Sequence, residues 1–214
     1  MNDKYLSIIT NFGCHFECPY CIVKKNGIDV PSTTIESLDY LEEAIKAEGA
    51  NIVSVSGGGD PLYHYHAHRD YYDRLFDICR KLNVPIEIHT SYKDTWRFPY
   101  WDCHRMVYHC LNMYDLEAVK RCCNEKVRVV FVVTKNFNRK RIDAIEEFVK
   151  ESSDIDELSF RQMIDEDYKV RRYCHDYLKS GHKKRWWYIE QGDYNTYFVN
   201  GKIYYRFSEI GKGE

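Results

Sequence analysis

Residues 14–21 read CHFECPYC, which places Cys14, Cys18 and Cys21 in a C-x₃-C-x₂-C spacing directly after a short apolar run. Three thiolates this close together can bind one metal centre from a single loop. A closed structural zinc site has four protein ligands, so a set of three leaves one coordination position open for another molecule. The spacing alone also fits half of a zinc site, and both interpretations stay open at this point.

The next apolar run along the chain ends in a second motif, SGGGDPL at residues 56–62. Glycines let a ligand approach the backbone closely, and the carboxylate of Asp60 is able to receive a cationic amino group. An ordinary glycine-rich turn is the alternative interpretation of this motif when it is taken alone.

Short β-branched runs alternate with segments of helical periodicity along most of the chain. The alternation predicts six strands at residues 4–11, 51–56, 84–90, 105–111, 127–134 and 157–162, with the clearest helices at 33–48 and 138–151. Strands that alternate with helices favour a parallel sheet with right-handed crossovers. The predicted fold class is therefore α/β, a partial (β/α)6 TIM barrel, in which the chemistry lies at the carboxyl ends of the strands.

The last part of the chain departs from this pattern. A helical stretch is expected near residues 166–180, and Asn200-Gly201 between alternating aromatic and polar residues predicts a type I′ β-hairpin. We therefore expect two parts, a barrel over residues 1–165 and an extension over residues 166–214 that holds a helix and a small β-hairpin appendage.

The two motifs follow the first and second predicted strands, and together they resemble the signature of the radical S-adenosylmethionine (SAM) superfamily. That signature is a C-x₃-C-x-aromatic-C loop followed by a Gly-Gly-Glu-Pro motif. Tyr20 is the aromatic residue here, and residues 58–61 read GGDP. Asp60 replaces the usual Glu, which keeps the charge but shortens the side chain by one methylene. The resemblance covers the predicted barrel, residues 4–165.

The resemblance implies an enzyme that carries a [4Fe–4S] cluster, with the three cysteines as its metal ligands and catalytic residues. The open iron binds SAM, which is cleaved reductively to a 5′-deoxyadenosyl radical, and this radical takes a hydrogen atom from the substrate. The backbone of Gly58 and Gly59 and the side chain of Asp60 are expected to hold the SAM amino group. An electron donor such as flavodoxin or ferredoxin is the implied partner.

Further cofactor contacts are expected from the aromatic residue of the loop and from polar residues at strand ends. Ordinary loop polar residues without a special role are the alternative interpretation. The candidates are Tyr20, Thr90, Ser91, His109, Thr134 and Arg161, and a wider set adds His89, Asn112, Asn136 and Gln162.

The segment 169–185 has seven Lys or Arg residues against a single acid, Asp176, and Trp186, Trp187 and Tyr188 follow it. Basic side chains interleaved with aromatic ones can contact phosphates and stack on bases. An anionic substrate, a nucleotide or nucleic acid, is therefore favoured over a cationic one. The alternative is a solvated helix face followed by a packed strand.

Other function classes remain open on the sequence. An activase that installs a glycyl radical in a partner protein and a peptide-modifying radical SAM enzyme are the enzyme alternatives. A zinc-binding module is the non-enzyme alternative. The terminal hairpin also resembles the one in SPASM and twitch extensions of radical SAM enzymes, but it contains no cysteine. No auxiliary cluster is therefore expected.

Composition narrows the class of protein. The chain has 214 residues, of which 44% are hydrophobic and 30% charged, as is typical of a globular protein. Its net charge of −2 provides no global attraction for an acidic partner. We expect no membrane span, no signal peptide and a cytoplasmic location, where crowded cysteines indicate metal ligands rather than disulfides.

Overall fold

The computed structural model describes residues 3–95, 98, 103–121, 126–180, 186–189 and 196–211, the side chains of 186–189 excepted. The chain forms two compact units. Unit 1 comprises Met1–Glu17, Val23–Thr90 and Asp193–Glu214, and unit 2 comprises Cys18–Ile22 and Ser91–Gly192.

The strands and helices alternate along most of the chain. In chain order they are β1 Tyr5–Thr10, α1 Ile22–Asn26, α2 Leu41–Glu48, β2 Ile52–Gly57, α3 Arg69–Leu82, β3 Ile86–Thr90, β4 Arg105–Cys110, α4 Met113–Glu117, β5 Lys126–Val133, α5 Arg139–Glu151, β6 Glu157–Ile164, β7 Val170–Arg171, α6 His175–Ser180, β8 Trp186–Ile189, β9 Thr196–Val199 and β10 Lys202–Tyr204. Short 3₁₀ helices cover Glu36–Tyr40, Tyr65–His68 and Phe207–Glu209.

Unit 1 contains a sheet in the strand order β10-β9-β1-β2-β3. The strands β9, β1, β2 and β3 run parallel, and β10 runs antiparallel to β9. Because neighbouring side chains of a strand point to opposite faces, Leu6 and Ile8 lie on one face of β1 and Ser7 on the other. Leu6 and Ile8 are fully buried, and the Ser7 hydroxyl bonds that of Ser54 at 2.9 Å. The sheet thus has an apolar face and a face with buried polar groups.

Unit 2 is built on β4, β5 and β6, which run parallel in that order. The strand β6 also pairs with β8 in parallel and with β7 in antiparallel orientation. Arg105 and Arg128 are buried, and the Nε atom of each approaches the same Glu157 oxygen, at 3.1 and 2.8 Å respectively. Two guanidinium groups therefore share one carboxylate at the start of these strands.

All six predicted strands are confirmed, with boundaries that differ by at most two residues at each end. The helices predicted at 33–48 and 138–151 are also present, the first as a 3₁₀ turn that continues into α2. The helical stretch predicted at 166–180 is wrong in its first half, where the chain turns back on β6 to form β7, and only α6 is helical.

The predicted hairpin at Asn200-Gly201 is confirmed as the β9–β10 turn, and both residues have positive φ, 45° and 86°. Its strand β9 lies beside β1 and extends the sheet of unit 1. The proposed boundary between residues 1–165 and 166–214 stays a prediction. None of the helices within the described ranges is long and apolar enough to cross a membrane.

Candidate active site

The loop between β1 and α1 carries the three cysteines of the first motif. Cys14, Cys18 and Cys21 are each partly exposed and are thiols rather than disulfide-bonded. The Cys21 N–H donates to the Cys18 carbonyl at 3.0 Å, which closes a turn at Pro19 and Tyr20. The second half of the motif, from Cys18 to Cys21, therefore forms one tight turn that ends directly before the short helix α1.

Aromatic contacts fix the first part of this loop to unit 1. Phe12 stacks on His68 with 3.9 Å between ring centroids and meets the edge of Tyr71 at 5.2 Å. Gly13 has a φ of +115°, and a Cβ atom there would lie 2.6 Å from the Tyr63 ring. Only glycine fits this position, because both the backbone conformation and the available space exclude a side chain.

Tyr20 is the aromatic residue of the cysteine motif and is half-buried. Burial raises the pKa of its hydroxyl above the usual range, and nearby Cys18, Cys110 and Asp115 raise it further. The phenol therefore stays neutral at physiological pH. The turn that holds Cys18 and Cys21 thus brings an aromatic ring close to the end of β4.

The chemistry of the donor set fits an iron–sulfur cluster, since three accessible thiols lie within eight residues of one loop. In the described ranges no three His, Cys, Asp or Glu side chains converge in the way that they would around a bound metal. The Cys14 Sγ instead points to the Phe16 carbonyl at 3.8 Å. The assignment of the three cysteines as ligands accordingly remains a proposal.

The glycine turn after β2 is bonded to the chain that follows β1. The N–H groups of Gly58 and Gly59 both donate to the Thr10 carbonyl, at 2.8 and 3.2 Å, and the Asp60 N–H donates to the Gly13 carbonyl at 3.0 Å. A Cβ atom on Gly59 would lie 2.3 Å from the Gly13 carbonyl oxygen. The glycine turn is therefore held against Thr10 and Gly13, the stretch of chain just before the cysteine motif, by backbone contacts that require glycine.

The Asp60 side chain is buried, with 4% of its surface exposed. Its Oδ1 accepts hydrogen bonds from the Leu62 N–H at 3.0 Å and from the Thr90 hydroxyl at 2.7 Å. Thr90 is buried at the end of β3. The structure thus brings two predicted cofactor-binding residues, Asp60 and Thr90, into direct contact with each other.

The other strand-end candidates lie in unit 2 and are all half-buried. Ser91 follows β3 directly, and His109 is the penultimate residue of β4. Thr134 follows β5, and its hydroxyl oxygen accepts the Asn136 N–H at 3.4 Å. Arg161 lies within β6. Their roles toward a cofactor stay predictions.

Three residues of the wider candidate set use their polar atoms within the protein. His89 Nε2 lies 2.8 Å from Glu87 Oε1, and both side chains are buried. The Asn112 side chain accepts the Asp115 N–H at the start of α4. The Gln162 amide both donates to and accepts from the Tyr173 backbone, and it is buried as well. In the structure these three side chains therefore stabilise the fold through hydrogen bonds within the protein.

Lys93 belongs to no sequence motif, and its place near the site is seen only in the structure. Its Nζ donates to the carbonyls of Ser91 and His109, at 2.7 Å each. A lysine near a strand end is common, and only the tertiary contact shows that this one joins the segment after β3 to β4. Its ammonium group also counteracts the effect of burial on Cys110, whose pKa burial raises to about 12.

Ion pairs neutralise more of the positive charge of the basic segment, residues 169–185, than its composition indicates. Lys169 pairs with Asp167 at 3.3 Å, and Arg171 pairs with Asp165 at 2.6 Å. Lys183, Lys184, Arg185, Cys122 and Cys123 lie outside the described residues, as do the side chains of Trp186, Trp187 and Tyr188.

Comparisons with known proteins agree with the motifs. A family model described as the radical SAM superfamily matches residues 8–97, which include both motifs. The chain is also similar to the crystal structure of Streptococcus suis SuiB bound to S-adenosylmethionine, with a TM-score of 0.65 and 16% sequence identity. That match covers 99% of this chain and 60% of the SuiB chain. No curated protein sequence matches this chain. The likeness to SuiB confirms the predicted α/β partial-barrel fold class.

Proposed function

We propose that the chain is an enzyme of the radical SAM type, which cleaves SAM reductively at a [4Fe–4S] cluster and abstracts hydrogen from an organic substrate. The superfamily model that matches residues 8–97 supports this proposal. The observation that carries this proposal is the pair of motifs after β1 and β2, of which the glycine turn is bonded through Gly58 and Gly59 to Thr10, the last residue of β1. A cysteine loop and a glycine turn that follow two neighbouring strands are the two parts that such chemistry needs.

Each motif has a proposed task. The thiolates of Cys14, Cys18 and Cys21 hold the cluster, and the turn of Gly58, Gly59 and Asp60 receives the SAM amino group. When both are bound, the cluster and SAM supply a radical that takes a hydrogen atom from the substrate. Tyr20 shields the cysteine turn on the side of β4.

Further contacts to SAM are proposed for the polar groups at the strand ends. Ser91 and His109 are supported by their position, because their carbonyls share the Lys93 ammonium group at the end of β4. Thr134 and Arg161 extend this set along β5 and β6. The carboxyl ends of parallel strands are where ligands bind in such folds.

An anionic organic substrate, with nucleotides and nucleic acid as the first classes to test, completes the proposal. The basic segment after β6 supports it, although Asp165 and Asp167 neutralise two of its charges. An enzyme of this type needs a reductant as well as a substrate. We propose a flavodoxin or ferredoxin for that role, in the cytoplasm.

The test is anaerobic reconstitution with iron and sulfide, followed by addition of SAM and dithionite and detection of 5′-deoxyadenosine by mass spectrometry. We expect 5′-deoxyadenosine from the wild-type protein. Nucleotides, RNA and DNA are then added in turn, and a true substrate increases the yield. A cluster-loaded protein that yields no 5′-deoxyadenosine with any of them would contradict the proposal.

A further inference from the structure

The carboxylate of Asp60 is already engaged by the protein itself. Its Oδ1 accepts two hydrogen bonds, from the Leu62 N–H at 3.0 Å and from the Thr90 hydroxyl at 2.7 Å. The bond to Leu62 runs from a side chain to the N–H two residues on, which is an Asx turn. Only 4% of the residue is exposed. The carboxylate of Asp60 therefore stabilises the turn in which it lies, and it is not exposed to solvent as a free site for a cation.

Thr90 connects that turn to the neighbouring strand. It is the last residue of β3, with 1% of its surface exposed. Its hydroxyl donates to Asp60 across 30 residues of sequence. The hydroxyl is buried and donates its hydrogen to Asp60, so this bond connects the end of β3 to the turn after β2.

The remaining sides of the turn are bound by backbone groups and by one phenol. Gly58 and Gly59 donate to Thr10, and Asp60 donates to Gly13 through its N–H. The Tyr72 hydroxyl donates to the Pro61 carbonyl. In this network the Asp60 side chain connects the glycine turn to Thr90 at the end of β3.

We propose that Asp60 is a positioning residue, which with Thr90 holds the glycine turn in the shape that receives the SAM amino group. The backbone of the turn makes the contact to SAM, and the side chain of Asp60 contributes hydrogen-bond acceptance rather than negative charge. This inference rests on the proposed function and refines the role expected for the acidic residue of the motif.

Conservative substitutions separate the two roles. Asp60→Asn keeps the Oδ1 acceptor and the shape of the side chain but removes the charge, whereas Asp60→Ala removes both. Thr90→Val removes only the donor, and Thr90→Ser retains it. We expect Asp60→Asn and Thr90→Ser to keep most of the SAM affinity. Loss of a buried hydrogen bond in Asp60→Ala or Thr90→Val should weaken SAM binding roughly tenfold.

The measurement is anaerobic calorimetric titration of SAM into the reconstituted protein and its four variants. In parallel, thermal melts of the cluster-free proteins, with the double variant Asp60→Ala/Thr90→Val added, report stability. The double variant should lose less stability than the sum of the two single variants, because the two residues share one bond. If Asp60→Asn loses as much SAM affinity as Asp60→Ala while Thr90→Val keeps it, the charge is what matters and the inference is overturned.

Failure of the proposed function gives a different result. A wild-type protein that holds a cluster but binds no SAM contradicts the function. The melts still decide whether Asp60 and Thr90 are coupled, and additive effects on stability would overturn the inference even in that case. Should Thr90→Val fail to fold, the comparison of Asp60→Asn with Asp60→Ala decides alone.

Discussion

At the scale of single residues, Cys18 lies in the middle of the proposed ligand set. Cys18→Ala should abolish the brown colour, the bound iron and sulfide, and the cleavage of SAM, because two thiolates cannot hold the cluster. Iron and sulfide analysis after anaerobic reconstitution measures this directly.

Cys174 offers the matched control, because it is also a partly exposed cysteine but lies outside the loop, with its Sγ near the Phe137 carbonyl. Cys174→Ala should keep full iron content. A Cys18→Ala protein that binds as much iron as the control would contradict the ligand assignment.

The cysteines also differ in their expected reactivity. Burial raises the pKa of Cys79 and of Cys110 to about 12, so both remain thiols at mildly alkaline pH. The thiolate is the reactive form. In the cluster-free protein, iodoacetamide should therefore modify the three cysteines of the motif well before Cys79 and Cys110, as peptide mass spectrometry can show.

Reconstitution should then protect the three loop cysteines and leave the slow reaction of Cys79 and Cys110 unchanged. Modification of Cys110 at the same rate as Cys18 would show that the structure misplaces it.

At the scale of elements, the turn after β2 depends on the absence of a side chain at Gly59. In Gly59→Ala the added Cβ would lie 2.3 Å from a backbone oxygen of Gly13, and no flexible side chain can move aside. Forcing an atom into such a space costs roughly 1–3 kcal/mol. We expect this loss in urea denaturation of the cluster-free protein, and an unchanged midpoint would contradict the close approach of Gly59 to Gly13.

The helix α5 depends on its N-cap. The Asn138 side chain accepts the Arg141 N–H at 2.9 Å, so Asn138→Ala should cost about 1 kcal/mol of unfolding free energy. Asn136→Ala is the control, because this exposed asparagine lies two residues earlier and caps no helix. Equal effects of the two substitutions in urea denaturation would refute the cap.

The elements that the sequence predicted well are those with a clear hydrophobic period. The strands β1 to β6 follow apolar runs whose burial needs no knowledge of the tertiary fold. The segment 166–171 was predicted to be helical and is not. The Asp165 side chain accepts the N–H groups of Asp167 and Lys169, at 2.9 and 2.8 Å, and Tyr168 adopts a φ of +59°. Side-chain bonds to the local backbone compete with a helix.

At the scale of the whole molecule, the strand-end rule leaves the position of the site a prediction, whereas the motifs predict a radical SAM enzyme, in agreement with the superfamily model that matches residues 8–97. They did not show which polar groups are used internally. The bond of Thr90 to Asp60 and the bond of Lys93 to His109 each join residues that lie far apart in the sequence. Such pairings depend on tertiary geometry, which no single-sequence pattern encodes.

The similarity to SuiB extends over 99% of this chain but only 60% of the SuiB chain. The likeness therefore concerns the fold that the two proteins share, and it does not transfer a substrate. The substrate has to be sought by experiment, with the proposed cluster as the starting point.

The central claim is that the loop of Cys14, Cys18 and Cys21 holds a [4Fe–4S] cluster with one iron open to SAM. Electron paramagnetic resonance of the reconstituted, dithionite-reduced protein, recorded with and without SAM, tests it most directly. We expect the signal of a reduced [4Fe–4S] cluster that changes shape when SAM binds to the open iron. A protein that takes up zinc instead of a cluster, or a cluster signal that saturating SAM leaves unchanged, would contradict it.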